Sequence, residues 1–91
     1  MKYKLELTRQ YLKDLKLARK RGLDEDNLNE IILKLMKGEV LPPKNRDHFL
    51  TGNYKGFREC HISPDWLLIY SRDVIVKIVT LVRTGTHSDL F

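Results

Sequence analysis

Apolar and polar residues alternate at the start of the chain and then recur at helical spacing. Alternation over residues 2–7 predicts a strand whose apolar side is formed by Tyr3, Leu5 and Leu7. Thr8 is a suitable N-cap for a first helix that ends near Gly22 and buries Tyr11, Leu12, Leu15 and Ala18. A second helix runs from Asp24 to Gly38, with an apolar stripe of Leu28, Ile31, Ile32, Leu35 and Met36.

The second half of the chain predicts an irregular stretch followed by three strands. Residues 39–53 contain Pro42-Pro43 and end in Gly52-Asn53, which disfavours a helix or a central strand. Three β-prone segments follow, at residues 56–62, 66–71 and 74–82. Their connections are short and polar, so they form an antiparallel meander. The predicted fold is α+β, β-α-α-β-β-β, in which a two-helix hairpin packs against one face of an antiparallel sheet.

Length and composition limit the classes of protein to consider. A chain of 91 residues, 42% of them hydrophobic, suits one domain (residues 1–91) with one core. No apolar run is long enough to span a bilayer, and no basic-then-apolar leader opens the sequence. The single cysteine, Cys60, cannot form an internal disulfide, which suits a reducing compartment. We therefore expect a cytoplasmic protein that does not enter the membrane.

Positive charge is concentrated in the first 21 residues. Eight Lys or Arg residues there are balanced only by Glu6 and Asp14, an excess of 8 − 2 = +6, whereas the whole chain carries +5. A basic helix attracts polyanions through Coulomb attraction and counterion release. The alternative is a solvated helix face without a binding role, and composition alone leaves both open.

The residues that could carry chemistry lie in three short blocks near the end of the chain, at positions 57–61, 64–66 and 83–91. These blocks contain two of the three histidines, and His48 lies just upstream. RNA carries its own nucleophile, the 2′-hydroxyl group, so its cleavage needs a base, an acid and positive charge near the phosphate. Histidine titrates at about pH 6.5 and can act as base or acid. Histidines that share one surface with Arg83 would therefore suffice without a metal.

Several short segments of the chain form one recognisable pattern: Arg58-Glu59-Cys60-His61, the segment from Pro64 to Tyr70, the segment from Arg83 to Phe91, Asp47-His48, Gly52 and Lys55-Gly56. This pattern resembles that of the YafQ branch of the RelE superfamily of toxins. The likeness covers nearly the whole chain, and the order of elements agrees. The resemblance implies a RelE-like fold and a bacterial type II toxin that cleaves messenger RNA in the ribosomal decoding site. It also implies a cognate antitoxin that wraps and inactivates the toxin.

By this resemblance, the catalytic residues are His48, His61, Asp65 and His87. His87 follows Thr-Gly-Thr, outside the last predicted strand, and we expect it to be the general acid. Asp65 would be a base or would orient a histidine, although after a proline it could also be only a turn residue. His61 could merely hydrogen-bond that turn. His48 lies in the irregular stretch, where loops often carry function.

The expected substrate-binding residues are Arg83, Trp66, Phe91, Lys55 and Arg58. The planar guanidinium of Arg83 suits a phosphate, although a salt bridge is the alternative. Trp66 begins an apolar strand and could belong to the core instead of stacking on a base. Phe91 is the last residue of the sequence, where stacking on a nucleotide would explain an exposed ring. Lys55 and Arg58 would contact the RNA backbone.

Other classes of function remain to be weighed. His61 and Asp65 could ligate a metal, but the sequence contains no CxxC, HExxH or two-histidine helical spacing, so we expect neither metal nor cofactor. A non-catalytic RNA- or protein-binding module is the main alternative, and histidines far apart in the fold would favour it. An inactive toxin homologue is a third. The expected partners are messenger RNA on the ribosome, ribosomal RNA bound by the basic helix and loops, and the antitoxin.

Overall fold

The computed structural model describes residues 2–91, which form a five-stranded sheet with two helices packed on one face. In chain order the elements are β1 (Lys4–Leu7), α1 (Arg9–Lys20), α2 (Glu25–Met36), β2 (His48–Phe49), β3 (Arg58–Ser63), β4 (Trp66–Asp73), β5 (Ile78–Gly85) and α3 (His87–Leu90). Two 3₁₀ turns, Pro43–Asn45 and Gly52–Tyr54, flank β2. The strand order across the sheet is β1-β5-β4-β3-β2. The predicted α+β fold is confirmed.

The helix ends follow from local capping chemistry. Thr8 caps α1 by accepting a hydrogen bond of 2.9 Å from the backbone N–H of Tyr11. Asp24 caps α2 by accepting hydrogen bonds from the backbone N–H groups of Asp26 and Asn27. Gly38 follows α2 with φ of 76°, a left-handed conformation that favours glycine. The predicted helical hairpin is confirmed.

The sheet is mixed and has one strand more than the sequence predicts. Strands β3, β4 and β5 form the expected antiparallel meander. Strand β1 joins β5 in parallel, with Lys4 opposite Ile78 and Leu7 opposite Leu81. Strand β2 lies within the stretch predicted to be irregular and pairs only two residues with β3. The parallel direction of the β1–β5 pair depends on how the two helices return the chain to the sheet. Local alternation of apolar and polar residues does not predict this.

The last strand begins later than its β-prone sequence predicts. Val74, Ile75 and Val76 lie in the turn between β4 and β5 and are 60%, 87% and 60% exposed. The carboxylate of Asp73 accepts hydrogen bonds from the backbone N–H groups of Ile75 and Val76. Lys77 closes the turn with φ of 61°. The predicted strand at residues 74–77 is therefore wrong, because the Asp73 side chain stabilises a turn there.

The two faces of the sheet carry different clusters of apolar residues. The main core, between the sheet and helices α1 and α2, consists of Tyr3, Tyr11, Ala18, Leu28, Ile31, Leu35, Leu41, Cys60, Ile62, Trp66, Leu68, Tyr70, Val79 and Leu81. The opposite face, here called the open face, carries a smaller buried cluster of Leu67, Ile69 and Leu90, with Leu50, Tyr54, Phe57 and Val82 partly buried around them. Helix α3 covers part of the open face through Leu90. The rest of that face is available to polar side chains.

One stripe of helix α1 differs from its prediction. Leu12 is 45% exposed, whereas Asp14 is only 9% exposed. Helical periodicity identifies apolar positions and therefore gives no sign of a carboxylate that faces the sheet.

No helix within residues 2–91 has the length and apolar character needed to cross a membrane.

Candidate active site

Two of the predicted catalytic histidines lie on either side of a glutamate on the open face. His48 pairs directly with Glu59 across β2 and β3, and His61 follows two residues along β3, so the three side chains share one face. The Oε1 atom of Glu59 lies 3.6 Å from Nε2 of His48 and 3.8 Å from Nε2 of His61. Both separations are too long for a hydrogen bond but short enough for a charged pair.

Glu59 is the functional candidate that the sequence did not single out. Its side chain is 5% exposed, whereas those of His48 and His61 are 49% and 19% exposed. Its second oxygen, Oε2, has no hydrogen-bond partner among residues 2–91. A buried carboxylate costs free energy unless a cation lies beside it, and the two imidazoles are the nearest groups that can carry this charge. Only the strand register could have revealed this role.

A backbone carbonyl fixes the ring of His48. Its Nδ1 atom lies 2.6 Å from the carbonyl oxygen of Arg46, and because a carbonyl only accepts, Nδ1 must carry the proton. Nε2, which faces Glu59, is therefore the nitrogen that can gain or lose a proton. Arg46 has φ of 47°, which is uncommon for a residue with a side chain. Strain of this kind is frequent near functional sites.

The third predicted histidine, His87, is the first residue of helix α3. Thr86 and Asp89 form a capping box that orders this short helix. The His87 ring is exposed and lies 4.9 Å, between centroids, from the ring of Phe91. Phe91 is 54% exposed and meets the ring of Tyr54 edge-on at 5.6 Å. These exposed rings offer a surface on which a nucleobase can stack.

Strand register brings His87 to the same end of the sheet as His61. His61 pairs with Leu67, and Leu67 pairs with Gly85, two residues before His87. Two strand spacings of about 4.8 Å therefore separate the backbone of His61 from that of Gly85. Leu90 of α3 packs on the open face against Leu67. The histidines are not scattered over the fold, which was the arrangement that would have favoured a non-catalytic module.

Asp65 lies in the β3–β4 turn and is exposed. No hydrogen bond or ion pair of its carboxylate occurs within residues 2–91. The carboxylate that lies beside His61 belongs to Glu59 instead. A role for Asp65 as base or as partner of a histidine stays a prediction.

Arg83 is held by a carboxylate of helix α1. Its Nε and Nη2 atoms donate to the two oxygens of Asp14, each at 3.0 Å, and the Arg83 side chain is 25% exposed. The Asp14 carboxylate raises the pKa of Arg83 further above its usual value, while partial burial opposes the shift. Two of the five guanidinium N–H groups face Asp14, and Tyr54 is a further hydrogen-bond partner that adds to the raised pKa, so only part of the guanidinium remains for another anion. The ion pair leaves phosphate binding by Arg83 possible, and that role stays a prediction.

Trp66 belongs to the main core. It is 8% exposed, and its indole N–H donates to the Thr84 hydroxyl at 3.1 Å. That hydroxyl donates in turn to the carbonyl of Leu67 at 2.7 Å. A ring so enclosed has no free face for a nucleobase, so the structure supports the core alternative over the stacking role that we expected. Trp66 instead anchors the end of β5.

Arg58 is divided between an ion pair and an exposed ring. Its Nε donates to Oδ1 of Asp47 at 3.1 Å, and the hydroxyl of Tyr70 donates to the same oxygen at 2.7 Å. Burial raises the pKa of Tyr70, and the bond to Asp47 adds to the shift. The Arg58 guanidinium lies 4.2 Å above the ring of Phe49, which is 68% exposed. RNA contacts by Arg58 and by the exposed Lys55 stay predictions.

The basic helix is only partly neutralised by neighbouring carboxylates. Arg19 pairs with Glu25, and Arg21 pairs with Asp89. Lys13, Lys16 and Lys20 are exposed and enter none of the ion pairs formed within residues 2–91.

Residues 2–91 contain no group of three or more His, Cys, Asp or Glu side chains arranged to hold a metal ion.

Known proteins match this chain over almost its full length. The family described as the bacterial toxin of a type II toxin-antitoxin system, YafQ, matches residues 3–91. The mRNA interferase toxin YafQ of Escherichia coli (strain K12) is 42% identical over 88 residues, which are 96% of this chain and 94% of that protein.

Solved structures give the same result. One chain in the crystal structure of the E. coli DinJ-YafQ toxin-antitoxin complex is 40% identical and has a TM-score of 0.88, over 100% of this chain and 99% of that one. A metal-bound toxin from Helicobacter pylori is 40% identical with a TM-score of 0.90, over 98% and 99% of the two chains. The match in sequence and in fold shows that this chain belongs to the YafQ family of toxins of bacterial type II toxin-antitoxin systems.

Proposed function

We propose that this toxin is an endoribonuclease that cleaves messenger RNA on the ribosome by internal attack of the RNA 2′-hydroxyl group. The observation that carries the proposal is the set of histidines on the open face, with Glu59 between His48 and His61 and with His87 at the same end of the sheet. The relative from E. coli is named an mRNA interferase, which supports the same activity here.

The proton transfers follow from the positions of the imidazoles. A histidine of the Glu59 pair takes the proton of the 2′-hydroxyl, and the oxygen attacks phosphorus. Glu59 stabilises the imidazolium that forms, as a buried carboxylate does in a catalytic triad. The bond from phosphorus to the 5′-oxygen breaks, and His87 gives that oxygen a proton. The products are a 2′,3′-cyclic phosphate and a 5′-hydroxyl end.

The developing negative charge on the phosphate requires a donor that is already in place. Arg83 retains N–H groups beyond those bound by Asp14. A fork of N–H donors aimed at the phosphorane stabilises the transition state more than the ground state. The rings of His87 and Phe91 hold a neighbouring base by stacking.

Two macromolecular partners complete the proposal. The exposed lysines of α1 contact ribosomal RNA, because phosphate neutralisation by several lysines gives strong but sequence-independent affinity. A cognate antitoxin binds and inactivates the toxin, which is supported by the solved DinJ-YafQ complex of its E. coli relative.

The proposal is tested by the chemistry of the ends that the protein leaves. The toxin is added to a reporter message in a translation extract with and without ribosomes, and the new ends are mapped and typed. We expect 5′-hydroxyl and 2′,3′-cyclic phosphate ends that form only when ribosomes are present. A chelator that removes zinc and copper but spares Mg²⁺ should leave the rate unchanged.

The same assay separates the alternatives. Ends with 5′-phosphate and 3′-hydroxyl, lost on chelation, would assign the reaction to a metal-activated water instead. Ribosome binding without any cleavage would assign the protein to the non-catalytic class. His61→Gln keeps roughly the size of the side chain, and we expect it to lower cleavage while the protein stays folded.

A further inference from the structure

Helix α1 and its C-cap residue, Arg21, are tied to the C-terminal segment by two ion pairs. Asp14 binds Arg83 through both carboxylate oxygens, and Arg21 binds Asp89 with 2.5 Å between Nη1 and Oδ2. The partners in the first pair are 69 residues apart in the sequence, and those in the second are 68 apart. The segment that α1 holds is the one that contains Arg83 and His87.

The orientation of the Asp14 carboxylate is fixed from four directions. Oδ2 accepts from Nε of Arg83 at 3.0 Å and from the backbone N–H of Thr84 at 3.2 Å. Oδ1 accepts from Nη2 of Arg83 at 3.0 Å and from the side-chain amide of Gln10 at 3.0 Å. Two parallel bonds to one carboxylate set both the plane and the direction of a guanidinium. The remaining N–H groups of Arg83 are therefore held in fixed directions before any RNA arrives.

Stability alone is a poor explanation for this carboxylate. Asp14 is 9% exposed and lies on the side of α1 that faces the sheet, where an apolar residue would contribute burial without desolvating a charge. Buried ion pairs are often no more stabilising than apolar side chains of similar volume. What the ion pair does provide is a fixed rotamer for a long and otherwise flexible side chain.

We infer that Asp14 is a positioning residue for RNA cleavage, which acts on the phosphate only through the guanidinium of Arg83. The inference rests on the proposed function, in which Arg83 stabilises the charge on the phosphorane. Asp14 itself touches neither RNA nor the reacting atoms. Its carboxylate aims the free donors of Arg83, so that no rearrangement is needed in the transition state.

A double-mutant cycle tests this dependence. Single-turnover cleavage on programmed ribosomes is measured for Asp14→Asn, Arg83→Ala, the double variant and the parent protein. We expect Arg83→Ala to lower the cleavage rate by roughly 10²- to 10³-fold, as for loss of one transition-state donor. Asp14→Asn should lower the rate at saturation by about tenfold, with little change in the toxin concentration that gives half the maximal rate, because the loss is confined to the transition state. In the Arg83→Ala background, Asp14→Asn should have no further effect.

Chemical rescue supplies a readout that a purely structural residue would not change. Added guanidinium ion should restore part of the activity of Arg83→Ala, because Asp14 remains to bind and orient it. The same concentration should restore much less activity in the double variant. Glu25→Gln is the matched control, since it removes a carboxylate from the exposed ion pair between Arg19 of α1 and Glu25 of α2. It should leave both cleavage and rescue unchanged.

The outcomes are distinct. Multiplicative effects of the two substitutions, or equal rescue with and without Asp14, would overturn the positioning role. Faster cleavage by Asp14→Asn would also overturn it, by showing that Asp14 withholds Arg83 from the RNA. Unchanged cleavage by a folded Arg83→Ala variant would instead remove Arg83 from the proposed mechanism, and the role of Asp14 with it.

A milder variant covers the case in which Asp14→Asn does not fold. Gln10→Ala removes one hydrogen bond from Oδ1 and leaves the ion pair in place. It should lower cleavage by about two- to threefold in the parent and have no effect in the Arg83→Ala background. An equal effect in both backgrounds would count against the inference.

Discussion

The two faces of the sheet are built from the same strands but treat polar groups differently. On the helix-covered side, the carboxylate of Asp47 accepts hydrogen bonds from both Arg58 and Tyr70. On the open face, the buried carboxylate of Glu59 has only two imidazoles near one oxygen and no partner for the other within residues 2–91. A closed network stabilises a fold, whereas a carboxylate with spare acceptor capacity is able to respond when a neighbouring histidine gains a proton.

In strand β3, residues that pack in the main core alternate with residues that form the candidate active site. Cys60 and Ile62 enter the main core, while Glu59 and His61 point to the open face. Because side chains alternate along a strand, each function occupies every second residue. A slip of one residue would exchange them, so the main core also fixes the register on which the site depends.

Loss of His87 is expected to have the largest effect on cleavage. It should not affect the stability of the main core on the helix-covered side. His87→Ala should lower cleavage by roughly 10²- to 10⁴-fold, the range for loss of a general acid. The fold should survive, because the imidazole is exposed. Cleavage rates and thermal unfolding are measured on the same preparation. Near-normal cleavage by a folded variant would remove His87 from the mechanism.

Neighbouring residues of β4 compare the two faces directly through stability. Leu68 and Ile69 are both fully buried, the first in the main core and the second on the open face. Leu68→Ala should lower the free energy of unfolding by about 2–5 kcal/mol. Ile69→Ala should cost about 1 kcal/mol less, because the smaller cluster can collapse around the cavity. Urea unfolding measures both, and equal losses would show that the open face is packed as well as the main core.

The basic helix α1 tests whether function is confined to the open face. If α1 docks on ribosomal RNA, the helix-covered side also takes part in function. Reversing Lys13, Lys16 and Lys20 to Glu should then weaken ribosome association by at least about tenfold and flatten its dependence on salt. Co-sedimentation at several salt concentrations measures both quantities. An unchanged salt slope would mean that the helix face is solvated or binds the antitoxin.

The smallest expected effect concerns pH and the helix-covered side alone. Burial raises the pKa of Tyr11 to about 12, and the charge of Glu25 adds to the shift. The unfolded chain ionises tyrosine at about pH 10, so this contribution to stability is complete below pH 10 and is lost as pH rises towards 12. The loss between pH 9 and pH 11 should be about 1 kcal/mol for this residue. Tyr11→Phe should show a shallower decline in urea unfolding over that range, and an identical decline would contradict the assignment.

Most of the fold could be predicted from short-range sequence signals. Thr8 and Asp24 marked the helix starts, and alternation identified the meander, because capping and side-chain periodicity act over a few residues. Val74 to Val76 were misread, since β-branched residues favour a strand only where they can pack, and the Asp73 turn leaves them exposed. The parallel β1–β5 pair depends on long-range topology.

The site was less accessible to sequence reasoning. His61 and His87 could be named because histidine can act as acid or base near neutral pH and both lie in the three C-terminal blocks, and the family resemblance strengthened both. Glu59 and Asp14 were passed over, since neither carboxylate has a meaning before β3 is paired with β2 or α1 is placed against β5. Trp66 begins an apolar strand, which favours the core without excluding a stacking role, and its enclosure and its bond to Thr84 support the core role.

The burial of Cys60 gives the protein an intrinsic reporter of its own opening. It is the sole cysteine of the chain and lies fully enclosed in the main core, and burial raises the pKa of its thiol. Alkylating reagents attack the thiolate and must reach it, so the folded protein should be labelled only during openings of the core. The labelling rate then measures the free energy of those openings without an engineered probe. A ligand or antitoxin that binds the closed form should slow labelling in proportion to its occupancy, so one reaction could follow both stability and binding.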